Sequence, residues 1–143
     1  MIKTFKGKAA DGAIIEIRLS TNNGMIGYLI RKFQFFPSKF GNHDQKSTGA
    51  LYSVEPSAAS AELNFDDPTL LAAVCMSTDN SEANPLNTNV IVDNKIINQD
   101  IFFTHQNTHA DAGPVNWYIE LEQIKLDLSE ATVATLKDMR GTN

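Results

Sequence analysis

Residues 116–125 alternate between apolar and polar side chains, and this stretch constrains the fold more than any other part of the chain. Trp117, Ile119 and Leu121 fall on one side of an extended backbone, whereas Tyr118 and the two glutamates that follow fall on the other. A period of two residues is that of a β-strand with one buried face. The pattern therefore predicts a long strand whose tryptophan lies in the core.

Shorter strand patterns fill most of the remaining chain. The sequence predicts seven to nine of them, separated by turn residues every eight to twelve positions, with many of the 13 asparagines in the connections. Short strands at this spacing are typical of a β-sandwich or a jelly roll. A length of 143 residues is the usual size of one domain. We therefore predict one mainly β domain over residues 1–143, an antiparallel β-sandwich or jelly-roll-like fold.

A second long strand is predicted over residues 27–36, and it is apolar on both faces. Its two predicted faces are Leu29, Phe33 and Phe35 on one side, and Tyr28, Ile30 and Phe36 on the other. We expect one face to meet the second sheet of the domain and the other to meet a neighbouring molecule. Residues 38–49 are polar and flanked by glycine, so they are predicted to form a loop.

Residues 129–140 predict a short C-terminal α-helix. Ser129 is a favoured N-cap residue. Val133, Leu136 and Met139 recur every three residues and give the helix one apolar stripe. Because an isolated helix of this length is marginal in water, we expect the stripe to pack on a sheet edge of this chain or of a neighbouring subunit.

The best candidate for a metal site is the pair His105 and His109, with Asp111 close behind. Two histidines four residues apart share one face of a helix and can bind zinc together. Here a strand-like run precedes them and a Gly-Pro pair follows, which argues against a helix. We therefore predict a polar loop over residues 105–114 and no metal site, and metal binding by these three side chains stays an alternative.

Three pairs of carboxylates raise the question of calcium binding or catalysis. They are Asp66 with Asp67, Asp93 with Asp100, and Glu120 with Glu122. The aspartates lack the alternating oxygen ligands of a calcium loop, so they are predicted to cap turns. The two glutamates are predicted to be surface groups on a half-exposed strand rather than a catalytic pair. No catalytic or cofactor-binding motif is present, so we predict no enzymatic activity, no catalytic or cofactor-binding residues and no cofactor.

The charge balance bears on the partners of the protein. Twelve Lys and Arg are scattered among seventeen Asp and Glu, which gives a net charge of −5. Nucleic-acid affinity comes from clustered basic residues, so no direct contact with nucleic acid is predicted. The N-terminal residues lack the apolar core of a signal peptide, and no run approaches the roughly 18 apolar residues of a membrane helix. We expect a protein that is made in the cytoplasm, or is exported by something other than a cleaved signal, and that has no membrane partner.

Three segments in the second half of the chain carry a resemblance to known proteins. They are residues 92–105 (VDNKIINQDIFFTH), 116–122 (NWYIELE) and 130–140 (EATVATLKDMR). Together they resemble small, mostly uncharacterised virion structural proteins of marine bacteriophages. The resemblance implies a capsid subunit or a capsid decoration (cement) protein, located in the virion after synthesis in the host cytoplasm. Its implied partners are other copies of itself, as a homo-oligomer, and other capsid proteins.

Two other classes of function stay open at this point. A carbohydrate-binding β-sandwich, such as a receptor-binding module, needs an exposed aromatic platform, for which Tyr118 and Tyr28 are the candidates. A metal-dependent enzyme of cupin-like shape needs His105, His109 and a carboxylate to meet inside a barrel.

Overall fold

Two antiparallel β-sheets and a C-terminal helix make up the fold. The computed structural model describes residues 1–19, 25–38, 45–78, 86–110 and 113–140. Its strands are β1 (Ile2–Ala9), β2 (Ile14–Ile17), β3 (Ile26–Pro37), β4 (Gln45–Tyr52), β5 (Leu70–Thr78), β6 (Leu86–Ile91), β7 (Ile101–Asn107) and β8 (Val115–Lys125). The helix α1 spans Leu128–Arg140. The mainly β, antiparallel sandwich with one short C-terminal helix that the sequence predicts is confirmed.

The strand order resembles that of a jelly roll, in which a long antiparallel hairpin is wound into two sheets. Such a hairpin pairs the first strand with the eighth, the second with the seventh, the third with the sixth and the fourth with the fifth. All but the third of these pairs occur here, within a three-stranded sheet of order β1-β8-β3 and a five-stranded sheet of order β2-β7-β4-β5-β6. β6 is bonded to β5, and it also lies beside β3, where Asn87 Nδ2 donates to the Phe35 carbonyl at 3.3 Å.

β8 is the central strand of the three-stranded sheet, as its regular pattern predicts. It pairs along its whole length with β3, and over residues 115–122 with β1. Trp117, Ile119 and Leu121 are buried between the sheets. The indole of Trp117 stacks on the ring of Phe103 from the opposite sheet, with 5.1 Å between the ring centroids. This contact joins the two layers of the core.

A β-bulge in β3 makes the predicted faces of this strand wrong. The register with β8 shifts between Ile30 and Lys32, so Arg31 is an extra residue. An extra residue exchanges the two faces of the strand from that point on. Tyr28 and Ile30 therefore face the core before the bulge, and Phe33 and Phe35 face it afterwards. Phe36 points outward and is 64% exposed.

The loop predicted over residues 38–49 is wrong for its second half, because β4 begins at Gln45. The sequence pattern does not predict this strand, because its first inward-facing residues are polar or lack a side chain. Gln45, Ser47 and Gly49 all lie on the buried face. Gly49 leaves room for the ring of Phe35, since a Cβ at this position would lie 2.3 Å from the ring carbon Cζ.

The helix begins one residue earlier than predicted, at Leu128, and its N-cap is Asp127 rather than Ser129. The Glu130 amide donates to Asp127 Oδ1 at 2.8 Å, which satisfies one of the free amides of the first turn. This bond is the main cause that lowers the pKa of Asp127. A carboxylate accepts such a bond better than the serine hydroxyl does, and it also interacts favourably with the helix dipole.

The helix packs on its own chain, but by a different face from the predicted one. Ala134 is buried beside Leu126, and Asn98 Nδ2 donates to the Thr135 hydroxyl at 2.8 Å. Val133 and Leu136 are 51% and 55% exposed. Of the predicted stripe, the side chain of Met139 lies outside the described part of the chain. The two described members of the stripe are thus left uncovered.

Candidate functional site

A group of buried polar side chains lies between the sheets at one end of β4 and β7. His105 Nδ1 is 3.0 Å from the Ala10 carbonyl, and His105 Nε2 is 2.8 Å from Ser47 Oγ. Because a carbonyl only accepts, Nδ1 carries the proton, and Nε2 accepts from the Ser47 hydroxyl. Ser47 in turn accepts from Gln45 Nε2 at 2.8 Å, and Gln45 Nε2 also donates to the Pro114 carbonyl at 3.1 Å. We call Gln45, Ser47, His105 and Asn107 the buried polar cluster.

Two residues of this cluster, His105 and Asn107, also hold the turn between β1 and β2 against β7. The Gly12 amide donates to the His105 carbonyl at 2.8 Å, and the His105 amide donates to the Ala13 carbonyl at 3.1 Å. The Asn107 amide donates to Asp11 Oδ1 at 2.7 Å. Burial lowers the pKa of the His105 imidazole, which is consistent with a neutral ring that accepts through Nε2.

The predicted loop over residues 105–114 is wrong at its start, because His105 lies within β7. Both of its ring nitrogens are engaged inside the core, so neither is free to bind a metal ion. His109 follows the strand, and its amide donates to Asn107 Oδ1 at 3.0 Å. Asp111, the third residue of the metal alternative, lies outside the described residues. Within the described residues, no three His, Cys, Asp or Glu side chains are grouped to hold a metal.

Ser47 and His105 have the hydrogen bond of a nucleophile and its general base, yet both are buried within the sandwich. Four pockets are formed by other described residues, and neither Ser47 nor His105 lines any of the four. A nucleophile needs a space in which the reacting atom of the substrate can lie about 3 Å away. The geometry gives this pair a structural role.

Asp67 and Asp93 cap turns, as predicted, whereas Asp100 binds an amide that is distant in sequence. Asp67 Oδ1 accepts from both the amide and the hydroxyl of Thr69, at 2.8 and 2.7 Å. Asp93 Oδ1 accepts from the Lys95 amide at 3.1 Å. Asp100 Oδ1 accepts from the Leu19 amide at 2.7 Å. These oxygens satisfy backbone donors at strand and turn ends.

The two glutamates of β8 lie on the outer face of the three-stranded sheet, where each has its own partner. Glu122 pairs with Arg31, the bulge residue. Glu120 Oε2 accepts from the Tyr118 hydroxyl at 3.0 Å, and this hydrogen bond is the main cause that raises the pKa of the tyrosine. The surface role predicted for both carboxylates agrees with these positions.

An open pocket of about 490 Å³ lies on the same outer face. We call it the sheet-face pocket. Its walls come from two outward rows of side chains, Lys6, Tyr118 and Gln34 in one row, and Asn116 and Phe36 in the next. The floor is the row between them, Gly7, Trp117 and Phe35, whose side chains point into the core and whose backbone faces outward.

The sheet-face pocket bears directly on the predicted aromatic platform. Tyr118 lies on the outer face and is partly exposed, which is compatible with this role. Tyr28, the second candidate, is buried in the core, so its prediction is wrong. The bulge at Arg31 is the reason, because it places Tyr28 on the inner face. Phe36 lies diagonal to Tyr118 and supplies the second exposed ring instead.

Two further surfaces carry exposed apolar side chains. On α1, Val133 and Leu136 lie one turn apart, and Val133 lines a pocket of about 270 Å³ together with Ile96. On the outer face of the five-stranded sheet, Phe65 and Val90 are exposed beside a pocket of about 220 Å³. Cys75 lines that pocket and is half-buried. We call the exposed pair Val133 and Leu136 on α1 the helix stripe.

Comparisons with known proteins add no assignment to this geometry. No protein-family model, curated protein or solved structure matches the chain. In the part of the chain that the structure describes, the helix is too short and too polar to cross a membrane.

Proposed function

We propose that this protein is a structural component of a bacteriophage virion, a capsid subunit or a capsid decoration protein. It works by contacts with copies of itself and with other capsid proteins. The observation that carries the proposal is the helix stripe, in which Val133 and Leu136 are more than half exposed, on a helix whose one buried residue among the described side chains is Ala134.

The helix stripe fits a surface that another chain covers. Most of the stability of a short helix in a protein comes from packing of its apolar face. Here Ala134 is the residue buried on its own chain, while Val133 and Leu136 lie uncovered. The pocket beside Val133, with Ile96 in its wall, gives an incoming side chain a place to bury. A partner that covers this face removes both side chains from water.

A second exposed apolar surface supports the same proposal. Val90 of β6 and Phe65, in the connection between β4 and β5, are exposed beside the pocket on the outer face of the five-stranded sheet. Together with the helix stripe they place apolar side chains on two separate surfaces. A subunit of a closed shell contacts several neighbours at once and therefore needs more than one contact surface.

The fold and the charge add weaker support. Jelly rolls occur in viral capsid proteins, and also in lectins and cupins, so the fold supports a capsid role by analogy alone. A net charge of −5 favours contacts with protein over contacts with the packaged genome.

Quantitative mass spectrometry of purified particles tests the proposal. Particles from the source of the gene are banded by density, and the protein is counted against a known capsid protein of the same particle. We expect it in a fixed ratio to that capsid protein, in the tens to hundreds of copies per particle that a shell component needs. Its absence from particles, while it is present in the infected-cell lysate, would overturn the proposal.

A further inference from the structure

We propose that the sheet-face pocket binds an acidic saccharide, a sugar that carries a carboxylate or a sulfate. This site is separate from the helix stripe, so the inference does not rest on the proposed role in a virion. The class of ligand is inferred from the side chains around the pocket, on the outer face of the three-stranded sheet.

The aromatic part of the pocket suits the apolar face of a sugar ring. Phe36 is 64% exposed, although the next residue in the strand, Pro37, is buried. Phe36 and Tyr118 come from adjacent strands, and their positions are diagonal neighbours because Tyr118 opposes Gln34. Diagonal neighbours are about 7–8 Å apart, within reach of aromatic side chains. The electron-rich faces of such rings attract the polarised C–H groups of a pyranose.

The hydrogen-bonding part of the pocket suits hydroxyl groups. Gln34 and Asn116 line it with side-chain amides that each offer both donors and an acceptor. Gln34 is exposed and Asn116 is partly exposed, and neither amide is held by the buried polar cluster. A volume of about 490 Å³ lies within the range of roughly 300–1,000 Å³ that small-molecule sites occupy.

The charges around the pocket select an acidic ligand over a neutral one. Lys6 lines the pocket, and Lys8 follows it on the same face, in the row of Asn116 and Phe36. No carboxylate lines the pocket. The nearest glutamate, Glu120, lies one row away, accepts from the Tyr118 hydroxyl and is opposite Lys32. One lysine in the wall and a second beside the pocket give this part of an otherwise acidic protein, of net charge −5, a positive charge that attracts an anion.

The test is a titration of the ¹⁵N-labelled full chain with a panel of trisaccharides. The acidic probes are oligomers of galacturonate, glucuronate, mannuronate and guluronate, together with sialyl-lactose and a sulfated galactose oligomer. The neutral probe is galactotriose. We expect at least one acidic probe to shift the amide signals of residues 6–7, 34–36 and 116–118, with an affinity at least about tenfold above that of galactotriose.

Matched variants separate the pocket from the rest of the surface. Phe36→Ala and Tyr118→Ala should each weaken binding about tenfold or more, whereas Tyr118→Phe keeps the ring and should retain it. Lys6→Gln should bring the acidic probe down toward the neutral one. Phe65→Ala removes a phenylalanine that is also more than half exposed but lies in the connection between β4 and β5, outside the pocket, and it should not change binding.

Three results would overturn the inference. The first is the absence of shifts at these amides with every acidic probe at about 10 mM, where even a weak site is partly filled. The second is equal binding of galactotriose and the acidic probes. The third is an equal loss of binding in Phe65→Ala and Phe36→Ala. None of these results bears on the presence of the protein in particles, so the two proposals fail independently.

Discussion

Ser47 and His105 share a hydrogen bond of 2.8 Å in the interior of the sandwich, between Oγ on β4 and Nε2 on β7. The imidazole accepts in this bond, so it has to be neutral, and its burial lowers its pKa. A histidine that is buried in its neutral form stabilises the fold only at a pH at which the imidazole of the unfolded chain is also unprotonated.

The stability of the protein should therefore fall as the pH drops below about 6.5, the ordinary pKa of histidine. Below that value His105 binds a proton in the unfolded chain but not in the folded chain, and this difference favours unfolding. One such group contributes up to about 1.4 kcal/mol per pH unit until the lowered folded pKa is reached. Urea unfolding of the wild type and of His105→Gln between pH 7.5 and 5 measures this contribution. Parallel curves for the two proteins would contradict the assignment.

Ser47→Ala should destabilise the protein by about 1–3 kcal/mol at pH 7.5, because it leaves buried polar atoms without partners. The change removes the donor to His105 Nε2 and the acceptor for Gln45 Nε2 at the same time. Thr48→Ala, on the outer face of the same strand, is the matched control and should cost less. Urea midpoints of the two variants make the comparison, and equal midpoints would mean that the cluster contributes little.

Gly49→Ala should destabilise the protein by about 1–3 kcal/mol through overpacking. The new methyl group would lie 2.3 Å from Cζ of Phe35, well inside contact distance. Phe35→Leu shortens the opposing side chain, so the double variant should lose less than the sum of the two single variants. Thermal unfolding of all four proteins gives the coupling energy. Strict additivity would show that the two residues are not in contact.

Trp117→Ala should cost about 3–5 kcal/mol, the usual loss for a large aromatic residue removed from a core. The ring is buried and stacks on Phe103 across the two sheets. Tyr118→Ala, at the next position but on the outer face, should cost far less. A loss below about 1 kcal/mol for Trp117→Ala in urea unfolding would place the tryptophan on the wrong face.

Asp127→Ala should weaken the helix by about 1 kcal/mol, the usual effect of losing an N-cap. Ser129→Ala should have almost no effect, because the Glu130 amide bonds to Asp127 and not to Ser129. Hydrogen exchange of the helix amides measures both changes without requiring the whole chain to unfold. A larger loss of exchange protection in Ser129→Ala than in Asp127→Ala would mean that Ser129 is the N-cap, as the sequence predicts.

The regular parts of the fold follow from the sequence alone. β8 is predictable because its inner residues, Trp117, Ile119 and Leu121, are all apolar and regularly spaced. The start of the helix is predictable to within one residue, because Ser129 and Glu130 are typical of the first turn of a helix.

The parts that escape prediction each depend on a contact between distant residues. The bulge at Arg31 arises where β3 meets β8, and no local signal in the chain marks it. β4 escapes because Gln45 and Ser47 are buried by partners, including Pro114 and His105, that lie far away in sequence. Of the two aromatic residues in the wall of the sheet-face pocket, the sequence predicts only one. The alternation of apolar and polar residues in β8 places Tyr118 on the outer face, whereas the face on which Phe36 lies depends on the bulge in β3.

Exposed apolar side chains of this protein are proposed to bind other chains, and binding of the purified protein to particles tests this role most directly. The wild type and the double variant Val133→Ser/Leu136→Ser are each added to particles that lack the protein, and the bound copies are counted after sedimentation. We predict near-complete loss of binding for the variant, with an unchanged urea midpoint, because both side chains are already more than half exposed in the free chain. Undiminished binding of a folded variant would contradict the account.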